Sequence, residues 1–338
     1  MSSPGTGRAR VLVAIPAHYR RRLFTQETWR RLADAADVIV SPDEGRLDAA
    51  QTLRSLRDTE ILLTGWGTHA ESPDWAESAP RLRALVHSAG SVRQLVDEAV
   101  LARGIQVSSQ ADQNGRPVAE YSLAMILLSA KRVFRVEREF RAGRVRYPMD
   151  GFAGGNFGAR IGIVGASKVG RRVLRLLEPF DLRPQLFDPY VDDAEAASLG
   201  ARKVGLDELF ETSAVVSVHA PLLPSTERMI GSAQLALMPD GAVLINTARG
   251  ALIDQGALIA ELRTGRIDAV LDVTDPEVLP TDSPLWDLPN VFLTPHLAGS
   301  VGNEVPRLGA EAVAEVLRVA AGEPLRYPVS VQQLGISA

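Results

Sequence analysis

The residues best placed to do chemistry in this 338-residue chain gather in its last third. Asn246-Thr247-Ala248-Arg249-Gly250 begins at the end of an apolar run at 242–246. Asp272 and Glu277 flank the end of another at 269–273, and His296 directly follows a third at 291–294, held by Pro295. A guanidinium fork matches a carboxylate bidentately, which an ammonium does less well. An imidazole titrates near neutrality and can give or take a proton. If the three runs are parallel strands, their C-terminal ends bring an arginine, a carboxylate and a histidine together where such sheets hold ligands.

Composition narrows the alternatives. The chain has 37 Lys+Arg against 41 Asp+Glu, a net charge of −4, and only three of its cations are lysines (Lys131, Lys168, Lys203). With five histidines and no cysteine, it can form no acyl-thioester, redox disulfide, iron–sulfur cluster or Cys-ligated zinc, and no metal is expected. A base working near pH 7 must be one of those imidazoles or a perturbed carboxylate or lysine. The slightly acidic balance argues against nucleic acid as a partner. No apolar run approaches the roughly 20 residues that span a bilayer, so no membrane partner is expected. After a short, basic and flexible lead (Met1 to Arg10), the run at 11–15 is shorter than the roughly 7–15 residues of a signal-peptide core. The expectation is a cytoplasmic protein.

The elements that must position these residues follow from alternation. Short branched runs at 11–15, 38–40, 61–64 and 84–87 read as buried strands, with helix-patterned segments at 25–36 and 49–57 between them. A second series follows: runs at 160–164, 184–187, 214–219, 242–246, 269–273 and 291–294, separated by helical segments such as 171–177 and 255–263. Strands alternating with helices imply parallel sheets, and two series imply two doubly wound α/β domains. The long helical segment 120–135, entered through the polar Gln113-Asn114-Gly115-Arg116-Pro117, is the first crossing. A final helix at 304–321 returns to the first domain. The expected division is 1–112 with 299–338, and 113–298. The charge run from Lys131 to Arg146 reads as a solvated helix face or a subunit-contact arm, not a phosphate site.

Between a strand and a helix lies Gly165-Ala166-Ser167-Lys168-Val169-Gly170. Gly165 can make the tight turn, Gly170 lets the helix pack on the sheet, and the helix N-terminus offers N–H groups and a positive dipole end to a diphosphate. Ser167 stands where the G-x-G-x-x-G fingerprint has its second glycine, so the backbone approach to the diphosphate should be altered. The next strand ends at Asp188, eighteen residues beyond Gly170. A carboxylate there accepts the ribose hydroxyls and repels a 2′-phosphate, and neither Pro189 nor Tyr190 supplies a cation for one. The expected cofactor is NAD.

The order of Gly-rich turn, Asp188, His219-Ala220-Pro221, Thr247-Ala248-Arg249-Gly250, Leu271-Asp272-Val273…Glu277 and Thr294-Pro295-His296 resembles the D-isomer-specific 2-hydroxyacid dehydrogenases from about residue 61 to 325. The resemblance implies a flavodoxin-like substrate domain and a Rossmann NAD domain. It makes Arg249, Glu277 and His296 catalytic: Arg249 clamping the substrate carboxylate, His296 as general acid/base and Glu277 bonded to its imidazole. It gives cofactor contacts to Gly165, Ser167, Lys168, Val169, Gly170, Asp188, His219, Ala220, Pro221, Thr226, Thr247, Ala248, Asp272 and His296. Ser88, Ala89 and Gly90, after His87, would join Arg249 on the substrate through backbone N–H groups.

By that resemblance the chain is a homodimer, joined through 120–147, that interconverts a small D-2-hydroxy acid and its 2-keto acid. The same scaffold leaves open a phosphite- or phosphonate-type dehydrogenase, or a non-catalytic NAD(H)-sensing corepressor-like protein. Ser88 and Val92 replace the first glycine and the aspartate of the family's Gly-x-Gly-x-Asp loop, and Val278 replaces a common proline, which marks a divergent branch. His18 and His69 read as surface or satisfied polar groups, and Trp66 as a pocket wall or as packing.

Overall fold

The computed structural model describes residues 8–150 and 152–336. The chain divides into two compact units: one runs to Asn114 and resumes at Ser300, and the other is Gly115–Gly299. Most of the expected basic lead lies outside the described residues, but its end does not. Ala9 and Arg10 already belong to the first strand.

In the first unit β1 (Ala9–Val13), β2 (Ala36–Val40), β3 (Ile61–Thr64), β4 (Ala84–His87) and β5 (Gln106–Ser109) form a parallel sheet in the order β2-β1-β3-β4-β5. That is the flavodoxin-like winding. The β3 and β4 sequences are apolar at nearly every position because every residue in them is buried, as a sheet covered on both faces requires. The helix Val305–Ala320 covers one face, laying Leu308, Ala312, Val313 and Val316 on Val11, Val13, Leu63 and Val86. Leu12, Leu62, Leu85 and Val107 face the other way, onto Trp75 and Leu56. Glu315, buried within that helix, accepts hydrogen bonds from Ser108 Oγ (2.9 Å) and the N–H groups of Arg326 and Tyr327.

The second unit holds β6 (Arg160–Val164), β7 (Arg183–Phe187), β8 (Arg202–Lys203), β9 (Val215–Val218), β10 (Val243–Asn246), β11 (Asp268–Leu271) and β12 (Val291–Leu293). They form a parallel sheet ordered β12-β11-β10-β9-β6-β7-β8. The strand order reverses between β6 and β9, the switch point where doubly wound sheets bind dinucleotides. The helix Lys168–Leu177 buries Val173, Leu174 and Leu177 against Ile161, Ile163 and Leu186. Two doubly wound parallel-sheet units are thus present.

Four details differ from the sequence reading. The two-residue edge strand β8 was not foreseen because Arg202 and Lys203 carry no apolar signal. β5 was not foreseen because Gln106, Ser108 and Ser109 break any apolar run; Ser108 is polar because it meets Glu315. The polar stretch 113–117 is not a loop. The helix Ala111–Ala130 runs through it and through Pro117, whose missing N–H forfeits only one intrahelical bond. The basic run is not uniformly solvated either. From the helix Val133–Gly143, Arg135 Nε and Arg138 Nη2 hold the two carboxylate oxygens of buried Asp268 at 2.9 and 3.2 Å.

Candidate active site

At the end of β6 the chain turns at Gly165 with φ +97°, and a Cβ there would stand 2.6 Å from the Ala220 backbone. Gly170 is equally confined, since its Cβ would fall 2.0 Å from the Gly165 carbonyl. The turn between these glycines therefore presses onto the His219-Ala220-Pro221 segment after β9, where His219 N–H donates to the Val164 carbonyl (2.7 Å). Ser167 is the N-cap of the helix Lys168–Leu177, its Oγ accepting from Gly170 N–H at 3.3 Å. Asp188, just past β7, accepts from Ala166 N–H (2.7 Å) and Tyr190 N–H (2.8 Å), which fixes its carboxylate against the turn. Thr226 accepts from Leu223 N–H and donates to the Pro221 carbonyl, closing the loop that follows. His219 is buried, its Nε2 2.9 Å from Ser217 Oγ, and burial pushes its pKa down to about 3. It is neutral at pH 7.

The ends of β10, β11 and β12 carry the remaining groups. Asn246 is fully buried and folds the next turn around itself: Oδ1 accepts from Ala248 N–H (3.0 Å) and Nδ2 donates to the Arg249 carbonyl (2.8 Å). Thr247 is 3.0 Å from Ser122 Oγ on the long helix. Gly250 lies so close to the Thr274 backbone that a Cβ would be 2.1 Å from its carbonyl carbon, so the Arg249 turn rests directly on the segment leading to Glu277. The Arg249 guanidinium is largely buried and donates to the Ala248 carbonyl (2.7 Å). Burial holds its pKa below the ordinary value, and nearby Glu277 pulls the other way.

Asp272 organises the turn after β12. Its Oδ1 accepts from Thr294 Oγ1 (2.6 Å) and Leu297 N–H (2.9 Å), and its Oδ2 from Ala298 N–H (3.0 Å). Its carbonyl accepts His296 N–H, and Tyr121 OH lies 2.9 Å from Thr294 Oγ1. So held, His296 takes φ +51°, a left-handed conformation uncommon outside glycine, and its Nδ1 hydrogen-bonds Glu277 Oε1. Both side chains are about half exposed. With Nδ1–H donated to the carboxylate, the neutral ring leaves Nε2 as its acceptor. Arg249, Glu277 and His296 are brought together, with Asp272 beneath them. The sequence reading named Asn246 only as the start of the Arg249 segment, without a role, and did not single out Tyr121 or Ser122.

In the first unit, the 88–90 turn follows β4. Ser88 N–H and Oγ–H both donate to the Thr64 carbonyl (2.8 Å each), so neither faces outward. The N–H groups of Ala89 and Gly90 have no partner among the described residues. His87 is buried with Nδ1 2.9 Å from Thr64 Oγ1, and burial pushes its pKa down to about 4. Trp66 packs on the core beside Tyr19, whose ring also meets His18. His69 bonds the Gly67 carbonyl. The described residues include no cluster that could hold a metal ion and no helix long and apolar enough to cross a membrane.

The sequence profile of the D-isomer specific 2-hydroxyacid dehydrogenase NAD binding domain matches residues 123–298. The chain is also 36% identical over 245 residues to a glyoxylate reductase of Korarchaeum cryptofilum, covering 71% of this chain and 74% of that one. It belongs to the D-isomer specific 2-hydroxyacid dehydrogenase family.

A D-3-phosphoglycerate dehydrogenase of Mycobacterium leprae is 32% identical over 313 residues, 91% of this chain; the chain spans 57% of that relative's length. Among solved structures, holo D-mandelate dehydrogenase of Rhodotorula graminis superposes with a TM-score of 0.79 at 26% identity, covering 96% of this chain and 98% of that one. The cofactor of this family member is NAD. Its residues fit that group. Gly165 leaves no room for a side chain over the turn, the helix N-terminus at Lys168 and Val169 points into it, and Asp188 supplies an anion where a 2′-phosphate would need a cation.

Proposed function

We propose that this dehydrogenase-family member interconverts a D-2-hydroxy acid and its 2-keto acid. The observation that carries the reading is the His296–Glu277 hydrogen bond beside the largely buried Arg249 guanidinium. The bound cofactor would supply the hydride chemistry, as acceptor when oxidised and as donor when reduced; the proton and the substrate's charge fall to this chain's own side chains. Arg249 pairs with the substrate carboxylate, and because burial has stripped water from its guanidinium, an anion there is bound more strongly than at an exposed arginine. In reduction, protonated His296 donates from Nε2 to the oxygen that becomes the hydroxyl, while Glu277 stabilises the imidazolium and fixes the ring. In oxidation neutral Nε2 takes that proton back. Lys168 and Val169 hold the diphosphate, Asp188 the ribose hydroxyls, and Ala89 and Gly90 donate N–H groups to the substrate anion.

The reading places the chain in the cytoplasm as a homodimer. The helix Val133–Gly143 buries none of its own residues within its unit, and Phe140, Val145 and Met149 stand exposed on it and just beyond it, an apolar face that a second copy would cover.

The test is a panel of glyoxylate, pyruvate, hydroxypyruvate, 2-ketobutyrate and phenylpyruvate, followed by loss of NADH absorbance. At least one should be reduced, and Arg249→Ala should lower its kcat/KM by about 30- to 1,000-fold, the loss of a desolvated bidentate pair. Inertness across the panel with NADH still bound would overturn the reading in favour of a non-catalytic NAD(H) sensor or a phosphite- or phosphonate-type dehydrogenase.

A further inference from the structure

Gln110 directly follows β5 and is fully buried, yet neither Nε2 nor Oε1 of its carboxamide has a hydrogen-bond partner. A buried amide in that state lowers stability, and native interiors seldom keep one. Its backbone is spent on the substrate turn. Gln110 N–H donates to the carbonyls of His87 (3.1 Å) and Ala89 (2.9 Å), bracketing the residues between them. One turn of helix later, Asn114 N–H returns to the Gln110 carbonyl (2.9 Å), and Asn114 Nδ2 lies 3.8 Å from where a Gly90 Cβ would stand. Asn114 Oδ1 in turn accepts from Ser300 N–H (3.0 Å), and Ser300 Oγ is itself enclosed and unpaired. Two unmatched polar groups therefore sit in the corner that carries the 88–90 turn, whose Ala89 and Gly90 N–H groups are also free.

We propose that Gln110 is a positioning residue for this turn: its carboxamide, unpaired in the turn as it stands, hydrogen-bonds a turn carbonyl once a 2-keto acid's carboxylate is held on the Ala89 and Gly90 N–H groups. The inference rests on the dehydrogenase reading above and adds to it a group that never touches the substrate. A bond made in the loaded arrangement and absent in the other contributes its whole energy to substrate affinity. It also explains why a costly amide occupies a position that an apolar side chain of the same size could fill.

Gln110→Met separates the two contributions. Without ligand, the variant should melt higher than the parent by about 2–4 °C, because an unmatched buried amide has been removed. For the 2-keto acid that the parent reduces fastest in the panel, KM should rise about tenfold with kcat within about twofold, the signature of one lost hydrogen bond in binding. NADH affinity, read by fluorescence titration, should not change. A variant that melts lower or fails to fold would show that the amide already has a structural partner, and would overturn the proposal. An unchanged KM would overturn it as well. A parent inert on the whole panel would remove the dehydrogenase reading and this inference with it, whereas an active parent with an indifferent variant removes this inference alone.

Discussion

Replacing Asp272 by asparagine tests what holds the turn that carries His296. The carboxylate receives three hydrogen bonds, two on Oδ1 and one on Oδ2, while only 2% exposed. Asparagine fits the volume but offers a single acceptor. Its better orientation keeps Thr294 Oγ1 and Leu297 N–H on the amide oxygen and turns NH2 against Ala298 N–H, two donors facing each other without water. One bond to a charged group is lost, worth roughly 1.5–3 kcal/mol, and the two that remain lose their charge assistance. A total near 3 kcal/mol should lower the melting temperature of a unit this size by about 6–12 °C. Differential scanning calorimetry measures it. Because Thr294, Leu297 and Ala298 bracket His296, kcat should fall at least about tenfold as the imidazole loses its set position. A melting temperature within about 2 °C of the parent would refute the reasoning, for the turn would then be held by its backbone alone.

Two further expectations follow from buried and exposed groups respectively. His87 has its pKa pushed down to about 4 by burial, against 6.5 in an unfolded chain, so the unfolded state takes up a proton that the folded state refuses. Its contribution is complete above pH 6.5 and disappears as pH falls toward 4, about 3 kcal/mol over that window. His87→Gln should flatten the fall in urea midpoint between pH 6.5 and 4, and a variant with the parent's slope would count against it. On the exposed helix, Phe140→Glu should sediment as a single chain where the parent sediments as two; a parent of single-chain mass at micromolar concentration would remove the dimer.

The second unit was far more legible in the sequence than the first. Its inner strands β6, β9, β10 and β11 are rich in valine, isoleucine and leucine because both faces of the sheet are covered there, and the residues after them are those that a ligand site and its tight turns demand. Gly165, Asp188, Arg249 and His296 could be placed for that reason. β5 could not: its side chains answer to Glu315, more than 200 positions away, and nothing local in Gln106-Val107-Ser108-Ser109 reveals that partner. The helix through Pro117 escaped notice because local propensity argued for a break that the packing of Ala119 and Ile126 overrides. Arg135 and Arg138 read as surface for a similar reason, since their partner Asp268 lies on a strand 130 or more residues later. Local spacing identifies turns and caps; it is silent about ion pairs made across a sheet.

Ser167 shows why a departure from a fingerprint need not abolish a site. At that position a glycine lets the backbone approach a diphosphate, and the serine was expected to alter the approach. Its backbone conformation, φ −62° and ψ 178°, is one that any residue adopts, so no positive φ is being forced on a side chain. The hydroxyl turns back onto Gly170 N–H as the helix N-cap, an interaction worth about 1 kcal/mol. One of the helix's free donors is thereby taken, while those of Lys168 and Val169 stay available to an anion, and the dipole that favours negative charge is unchanged. The two glycines that cannot be replaced are Gly165 and Gly170, where a Cβ would strike the Ala220 backbone and the Gly165 carbonyl. The steric requirement of the turn is therefore met in full, and the serine commits one N-terminal donor of the helix to its own cap.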